Sequence, residues 1–251
     1  MTDAGGTATL AAAGLRKRFG ALVVLDGVDF SVGADEAVGI VGPNGAGKTT
    51  LLSVLAGSQR PDSGSVRFGG LDITSRGAAA RCRLGIARAH QVPKPFGGMT
   101  VFENVLVGAS AGGGGRRRVD AYRTVVDVLE LCEMSDLANR PAESLGLLHR
   151  KRLELARALA TRPQLLLLDE IGAGLTDEEA ALLVETIREV RRQGVAIVWI
   201  EHIVHVLVQV AERLICMDGG KVIADGEPGA VMKEAVVIDA YLGSAAGSAV
   251  S

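Results

Sequence analysis

Aromatic residues are scarce in this chain. One Trp, two Tyr and five Phe make up 3% of it, too few for the stacking platforms that hold single-stranded nucleic acids. Cysteine is scarcer still. Cys82, Cys132 and Cys216 are scattered and odd in number, which excludes a disulfide framework or zinc-finger spacing and points to a reducing compartment. No run reaches the roughly 18 apolar residues of a membrane-spanning helix, and the N-terminus lacks a charged-then-apolar leader pattern. Neither sign of charge dominates: 27 basic and 29 acidic residues leave a net charge of -2, so no nucleic-acid partner is expected. What is present is ordinary globular material, 251 residues at 48% hydrophobic and 22% charged. That is enough for one domain or two lobes around a sizeable core.

The punctuation suggests an α/β chain. Leu10 to Val32, broken at Gly20, Asp26-Gly27 and Gly33, reads as two or three short strands. Ala37 to Val41 is a short apolar run followed by a glycine loop and a helical pattern. From about Ala87 to Ala160 helical patterns dominate, clearest at Ala121 to Cys132 and Arg150 to Ala160. Loops are expected at Val92 to Thr100 and at Ser110 to Gly115; Arg116, Arg117 and Arg118 after the second are expected to be a solvated linker. Leu165 to Leu168 and Val195 to Ile200 are continuous apolar runs, as in buried parallel strands. Asp177 to Arg192 opens with acids and closes with arginines, matching a helix dipole. Arg213 to Ala224 reads as a hairpin around Asp218-Gly219-Gly220. Ser244 to Ser251 is of low complexity.

The chemistry-bearing segment is Gly42-Pro43-Asn44-Gly45-Ala46-Gly47-Lys48-Thr49, followed by Thr50. Its pattern of Gly, four residues, then Gly-Lys-Thr is that of a phosphate-binding loop. Glycines let backbone N–H groups close around phosphate oxygens, and the following helix adds its own N–H groups and positive dipole end. Lys48 is expected to reach the β- and γ-phosphates of ATP, and the Thr49 hydroxyl to bind Mg²⁺. Asp169, after the leucine run, is expected to hold the metal's shell. Glu170 would orient and polarise an attacking water. Taken alone, Asp169-Glu170 could equally be a turn or capping pair; the phosphate loop tips it towards catalysis.

The order of these motifs resembles the ATP-binding cassette (ABC) family, the ATPase subunits of ABC transporters, over nearly the whole chain from Leu10 to Gly243. The resemblance implies a P-loop NTPase core with a mostly parallel sheet, an N-terminal antiparallel β subdomain and an inserted helical lobe. It implies a single cassette over 8–243, with core segments 8–88 and 160–243, a helical lobe over 89–159, and flexible tails at 1–7 and 244–251. It also supplies roles: Phe19 stacking on adenine, Gln91 sensing metal and water, and His202 bonding the γ-phosphate. Read alone, Phe19 is an ordinary core aromatic and Gln91 a solvated loop residue. Gly85-Ile86-Ala87-Arg88, Met99 to Asn104, Ile200-Glu201-His202 and the ending Tyr241-Leu242-Gly243 look most like the ATPases of branched-chain amino acid uptake systems. Two transmembrane permease subunits, a second ATPase subunit and, indirectly, an external solute-binding protein are then the implied partners, at the cytoplasmic face of the membrane. The implied activity is ATP hydrolysis coupled to solute import; a regulatory or soluble non-transport ATPase is the alternative. The Asn-Lys-x-Asp motif of a P-loop GTPase is missing.

Two segments depart from the family pattern. The signature Leu-Ser-Gly-Gly-Gln is replaced by Leu145-Gly146-Leu147-Leu148-His149, without the serine hydroxyl and the paired glycines. The aspartate of the D-loop, here Ala173-Gly174-Leu175-Thr176, is replaced by Thr176. Since these proteins pair head to tail, with each nucleotide between one chain's phosphate loop and the other's signature, a heterodimer with one strong and one weak site is expected, a homodimer being the other option.

Overall fold

The computed structural model describes residues 9–112 and 118–247. The expected arginine-rich linker therefore lies largely outside the described residues. In chain order the strands are β1 (Leu10–Phe19), β2 (Leu22–Val32), β3 (Ala37–Val41), β4 (Ser63–Phe68), β5 (Leu71–Asp72), β6 (Ile86–Ala89), β7 (Leu165–Asp169), β8 (Ala196–Ile200), β9 (Arg213–Asp218) and β10 (Lys221–Gly226). The helices are α1 (Lys48–Ala56), α2 (Ala78–Leu84), α3 (Val101–Ala111), α4 (Arg118–Leu131), α5 (Leu147–Leu159), α6 (Asp177–Arg192), α7 (Val204–Leu207), α8 (Pro228–Val231) and α9 (Ala235–Gly247).

Two sheets organise the chain. A four-stranded antiparallel sheet has the order β2-β1-β4-β5, and a six-stranded sheet the order β10-β9-β3-β8-β7-β6. Within the second, only β10 runs antiparallel to its neighbour. The apolar runs of β3, β7 and β8 are buried throughout. Their side chains alternate between two cores. Leu166, Leu168, Ile197 and Trp199 face the core shared with α3, α4 and α5. Leu165, Leu167, Val198 and Ile200 face the core shared with α1 and the antiparallel sheet. Both faces of the central sheet are covered, which is why its strands read as continuous apolar runs.

Three expectations change. Leu10 to Val32 forms the two long strands of one hairpin rather than two or three short ones, because Gly14 and Gly27 sit at φ +58° and +76° and are skipped at register shifts. A residue without a Cβ absorbs the irregularity as a bulge, and the ladder resumes. Ala89, expected to open the helical lobe, still pairs with Leu168 inside the main sheet. Ser244 to Gly247, expected to be tail, are part of α9; small residues suffice for helix where alanine is frequent.

Candidate active site

The site is assembled where parallel strands end. β3 runs into the phosphate loop, β7 ends at Asp169, β8 ends before Glu201 and His202, and β6 ends just before Gln91. The carboxyl edge of such a sheet is where ligands of open α/β folds bind.

The loop's geometry explains its glycines. Gly42, at φ +140°, has no room for a side chain: a Cβ would lie 2.0 Å from the carbonyl oxygen of Met217. At Gly47, φ +101°, a Cβ would lie 2.6 Å from the carbonyl of Val24. Gly47 is the N-cap of α1 and no side chain caps that end, so the first-turn N–H groups are left for an anion. Asn44 to Thr50, with Val24 and Glu170, line a cavity of about 190 Å³. The buried ammonium of Lys48 folds back onto the loop, donating to the carbonyls of Gly42 at 2.7 Å and Pro43 at 2.9 Å. Burial lowers its pKa, opposed by Glu170 and Asp169. This donor set, a glycine cradle with an uncapped helix end and a lysine, fits nucleotide phosphates.

The two acids at the end of β7 are held separately. Asp169 is 4% exposed. Its Oδ1 lies 3.4 Å from the Thr49 hydroxyl, and its Oδ2 accepts from Arg88 at 2.5 Å. Thr49 and Asp169 thus come together as a divalent cation requires, with one carboxylate oxygen already occupied by a guanidinium. Glu170 has φ +48°, a backbone conformation that costs a non-glycine residue roughly 1–3 kcal/mol and that clusters at functional sites. Its N–H donates to the Ile200 carbonyl at 2.9 Å. Its carboxylate accepts from Gln91 Nε2 at 2.5 Å and lies 2.9 Å from His202 Nε2. Gln91 therefore meets Glu170, while it shares with Asp169 the lining of an adjoining cavity of about 320 Å³.

Phe19, which alone reads as a core residue, is 47% exposed. The Lys17 ammonium lies 5.5 Å from its ring centroid. An exposed ring at the tip of the β1–β2 hairpin is available for stacking.

The ABC transporter family profile matches residues 25–173. The chain belongs to the ABC transporter family. This ABC protein is 34% identical over 250 residues to the high-affinity branched-chain amino acid transport ATP-binding protein BraF of Pseudomonas aeruginosa, covering 94% of this chain and 98% of that one. It is 33% identical over 246 residues to LivG of Escherichia coli K12, a protein of the same description, covering 92% and 96%. Among solved structures, the ADP conformation of MJ1267, an ATP-binding cassette of an ABC transporter, superposes with a TM-score of 0.84 at 31% identity, covering 94% and 99%. The ABC protein is thus an ATP-binding cassette of the ATP-hydrolysing kind, with the mixed sheet architecture the resemblance implied.

Sequence reasoning missed four contributors. Arg88 bridges Asp169 and the Ser53 hydroxyl, 3.0 Å away. Glu201, 2% exposed, accepts from Gly172 N–H at 2.8 Å and from His202 N–H at 3.3 Å. Burial, with Glu170 nearby, raises its pKa to about 7. Lys151 of α5, 3% exposed, donates to the Gln91 carbonyl at 3.3 Å; burial lowers its pKa, opposed by Glu201 and Glu170. Tyr241 reaches the phosphate loop from α9. Arg88, Glu201 and Tyr241 lie in the segments that carried the family resemblance, but no role was read for them there, and Lys151 sits unmarked in a run of basic residues.

The departures from the family pattern have physical reasons. Thr176 is the N-cap of α6, its hydroxyl accepting from Glu179 N–H at 3.2 Å in a capping box. Threonine satisfies this helix end as aspartate would. Gly146 is the N-cap of α5 without a side-chain cap, so backbone donors persist there, while Leu147 stands 47% exposed beside them.

Proposed function

We propose that the cassette binds MgATP at the carboxyl edge of its main sheet and hydrolyses it to drive import of a small solute, with branched-chain or other apolar amino acids the favoured class. The observation that carries the chemistry is the convergence of the phosphate loop, Asp169, Glu170, Gln91 and His202 from four strand ends. The substrate class rests on the relatives named above.

In this reading Gly45 to Thr50 cradle the phosphates, and Lys48 leaves the Gly42 and Pro43 carbonyls for phosphate oxygens. Thr49, Asp169 and Gln91 would hold Mg²⁺, which neutralises charge on the β- and γ-phosphates. Glu170 accepts the proton of the attacking water as its oxygen bonds to the γ-phosphorus and the bond to ADP breaks. Gln91 keeps that carboxylate aimed, and His202, exposed beside it, turns its N–H from Glu170 to the γ-phosphate. Phe19 stacks on the adenine.

Among the described residues no helix is long and apolar enough to cross a membrane. The cassette would sit at the cytoplasmic face on two transmembrane permease subunits, which with an external binding protein would supply passage and selection. The altered signature favours a second ATPase subunit over a second copy: Gly146 lacks the hydroxyl, and Leu147 and Leu148 crowd the close backbone approach, so this chain offers little to its partner's nucleotide.

The test is purification with associated membrane subunits, reconstitution in liposomes, and ATP-driven uptake of labelled leucine. Uptake that stops with Glu170→Gln while ADP still binds is the expected result. Wild-type uptake unaffected by Glu170→Gln would overturn the assignment of the general base. A purified complex holding two copies of this chain and no other ATPase would overturn the heterodimer.

A further inference from the structure

The phosphate loop is tied to the far end of the chain. The backbone N–H of Gly42 donates to the hydroxyl of Tyr241 at 2.9 Å, across 199 residues of sequence. Tyr241 is on α9, which packs against β10. Val237, one helical turn earlier, is fully buried and anchors the same face of the helix, and Tyr241 packs against the same core.

Gly42 is held at three points. Its N–H is taken by Tyr241, its carbonyl accepts from Lys48 Nζ at 2.7 Å, and its α-carbon is pressed against the Met217 carbonyl, where a Cβ would lie 2.0 Å from the oxygen. The φ of +140° at this residue sets the direction in which the loop leaves β3. An N–H directed at Tyr241 is not directed at a phosphate. The phenol therefore acts on the entry of the loop, upstream of the N–H groups that face the cavity. Burial raises the Tyr241 pKa above that of an ordinary phenol, so at neutral pH it is an uncharged hydroxyl able to accept the bond.

We infer that Tyr241 is a positioning residue for nucleotide binding: the C-terminal helix pins the first peptide of the phosphate loop in its phosphate-receiving conformation. This rests on the reading of the loop as the nucleotide site.

The experiment is Tyr241→Phe in the full chain, beside wild type and Lys48→Ala. Affinity for a fluorescent ADP analogue with Mg²⁺ is measured, with adenosine as a phosphate-free competitor, and hydrogen exchange at Gly42 is followed. One net hydrogen bond corresponds to roughly a two- to tenfold change in affinity. The expected result is ADP binding weakened about three- to tenfold, adenosine unchanged, faster exchange at Gly42, and a melting temperature within about 4 °C of wild type. Tyr241→Phe binding ADP as wild type does, or weakening adenosine equally, overturns the inference while leaving the site reading intact. Wild type that does not bind ADP, or Lys48→Ala that binds it unchanged, overturns the site reading and the inference with it. Should Tyr241→Phe fold poorly, Tyr241→Met, which likewise offers the Gly42 N–H no oxygen or nitrogen acceptor, is held to the same outcomes.

Discussion

Arg88 and Asp169 form an ion pair at 2.5 Å with side chains 10% and 6% exposed. The pair joins the end of β6 to the end of β7 and leaves Oδ1 of the aspartate turned to Thr49. It gives one carboxylate oxygen to the guanidinium and leaves the other to the Thr49 hydroxyl.

Arg88→Met leaves that aspartate buried without its counter-charge. Breaking one partner of a buried pair costs about 3–5 kcal/mol. Urea denaturation of the variant is expected to show a loss of this order. A loss below about 1 kcal/mol would mean that Asp169 is neutralised by another group.

Glu201 makes stability depend on pH. Its folded-state pKa, about 7, exceeds the ordinary value of 4.5. The folded state therefore holds the proton longer than the unfolded chain, and its contribution is complete below about pH 4.5 and lost as pH rises through 7. Glu201→Gln keeps an acceptor for Gly172 without the charge. Relative to wild type it is expected to gain stability between pH 5 and 8, by up to about 3 kcal/mol. Charge on Lys151 works against the shift. Denaturation curves that run parallel for the two proteins across this range would refute the account.

Phe19→Ala is expected to separate binding from folding. The ring is 47% exposed, so stability changes by no more than about 1 kcal/mol. Base–aromatic stacking contributes roughly 1–3 kcal/mol, so ATP affinity drops at least fivefold. Equal titrations of wild type and variant would return Phe19 to a packing role.

Restoring the signature tests the asymmetry. With Gly146→Ser, Leu147→Gly and Leu148→Gly together, this chain by itself is expected to hydrolyse ATP at least tenfold faster than wild type. Each glycine in the first turn of α5 costs at most about 1 kcal/mol, which the fold can absorb. No gain in phosphate release would show that the leucines are compatible with a complete site.

Leu165 to Leu168, Asp177 to Arg192 and Gly42 to Thr49 are legible from the residues alone, because each is decided by neighbours in sequence. A strand buried on both faces writes a continuous apolar run, a helix writes its dipole in its end charges, and a phosphate loop needs glycine where a Cβ has no space. The hairpin of β1 and β2 reads as two or three short strands for a related reason: glycine marks a bulge and a turn alike, and only pairing with a partner strand tells them apart.

The sequence alone therefore determined the class of fold and marked the glycine-lysine loop from Gly42 to Thr49. What only the tertiary structure decided was which groups support them. The order β9-β3-β8-β7-β6 sets Arg88 beside Asp169. The packing of α5 brings Lys151 to the Gln91 carbonyl, and that of α9 brings Tyr241 to Gly42. These contacts join segments far apart in the chain, and their positions follow from the shared packing of two cores rather than from any local spacing. The departure at Thr176 shows the same division: the sequence marked a missing aspartate, and the fold showed a helix end whose N–H groups threonine satisfies.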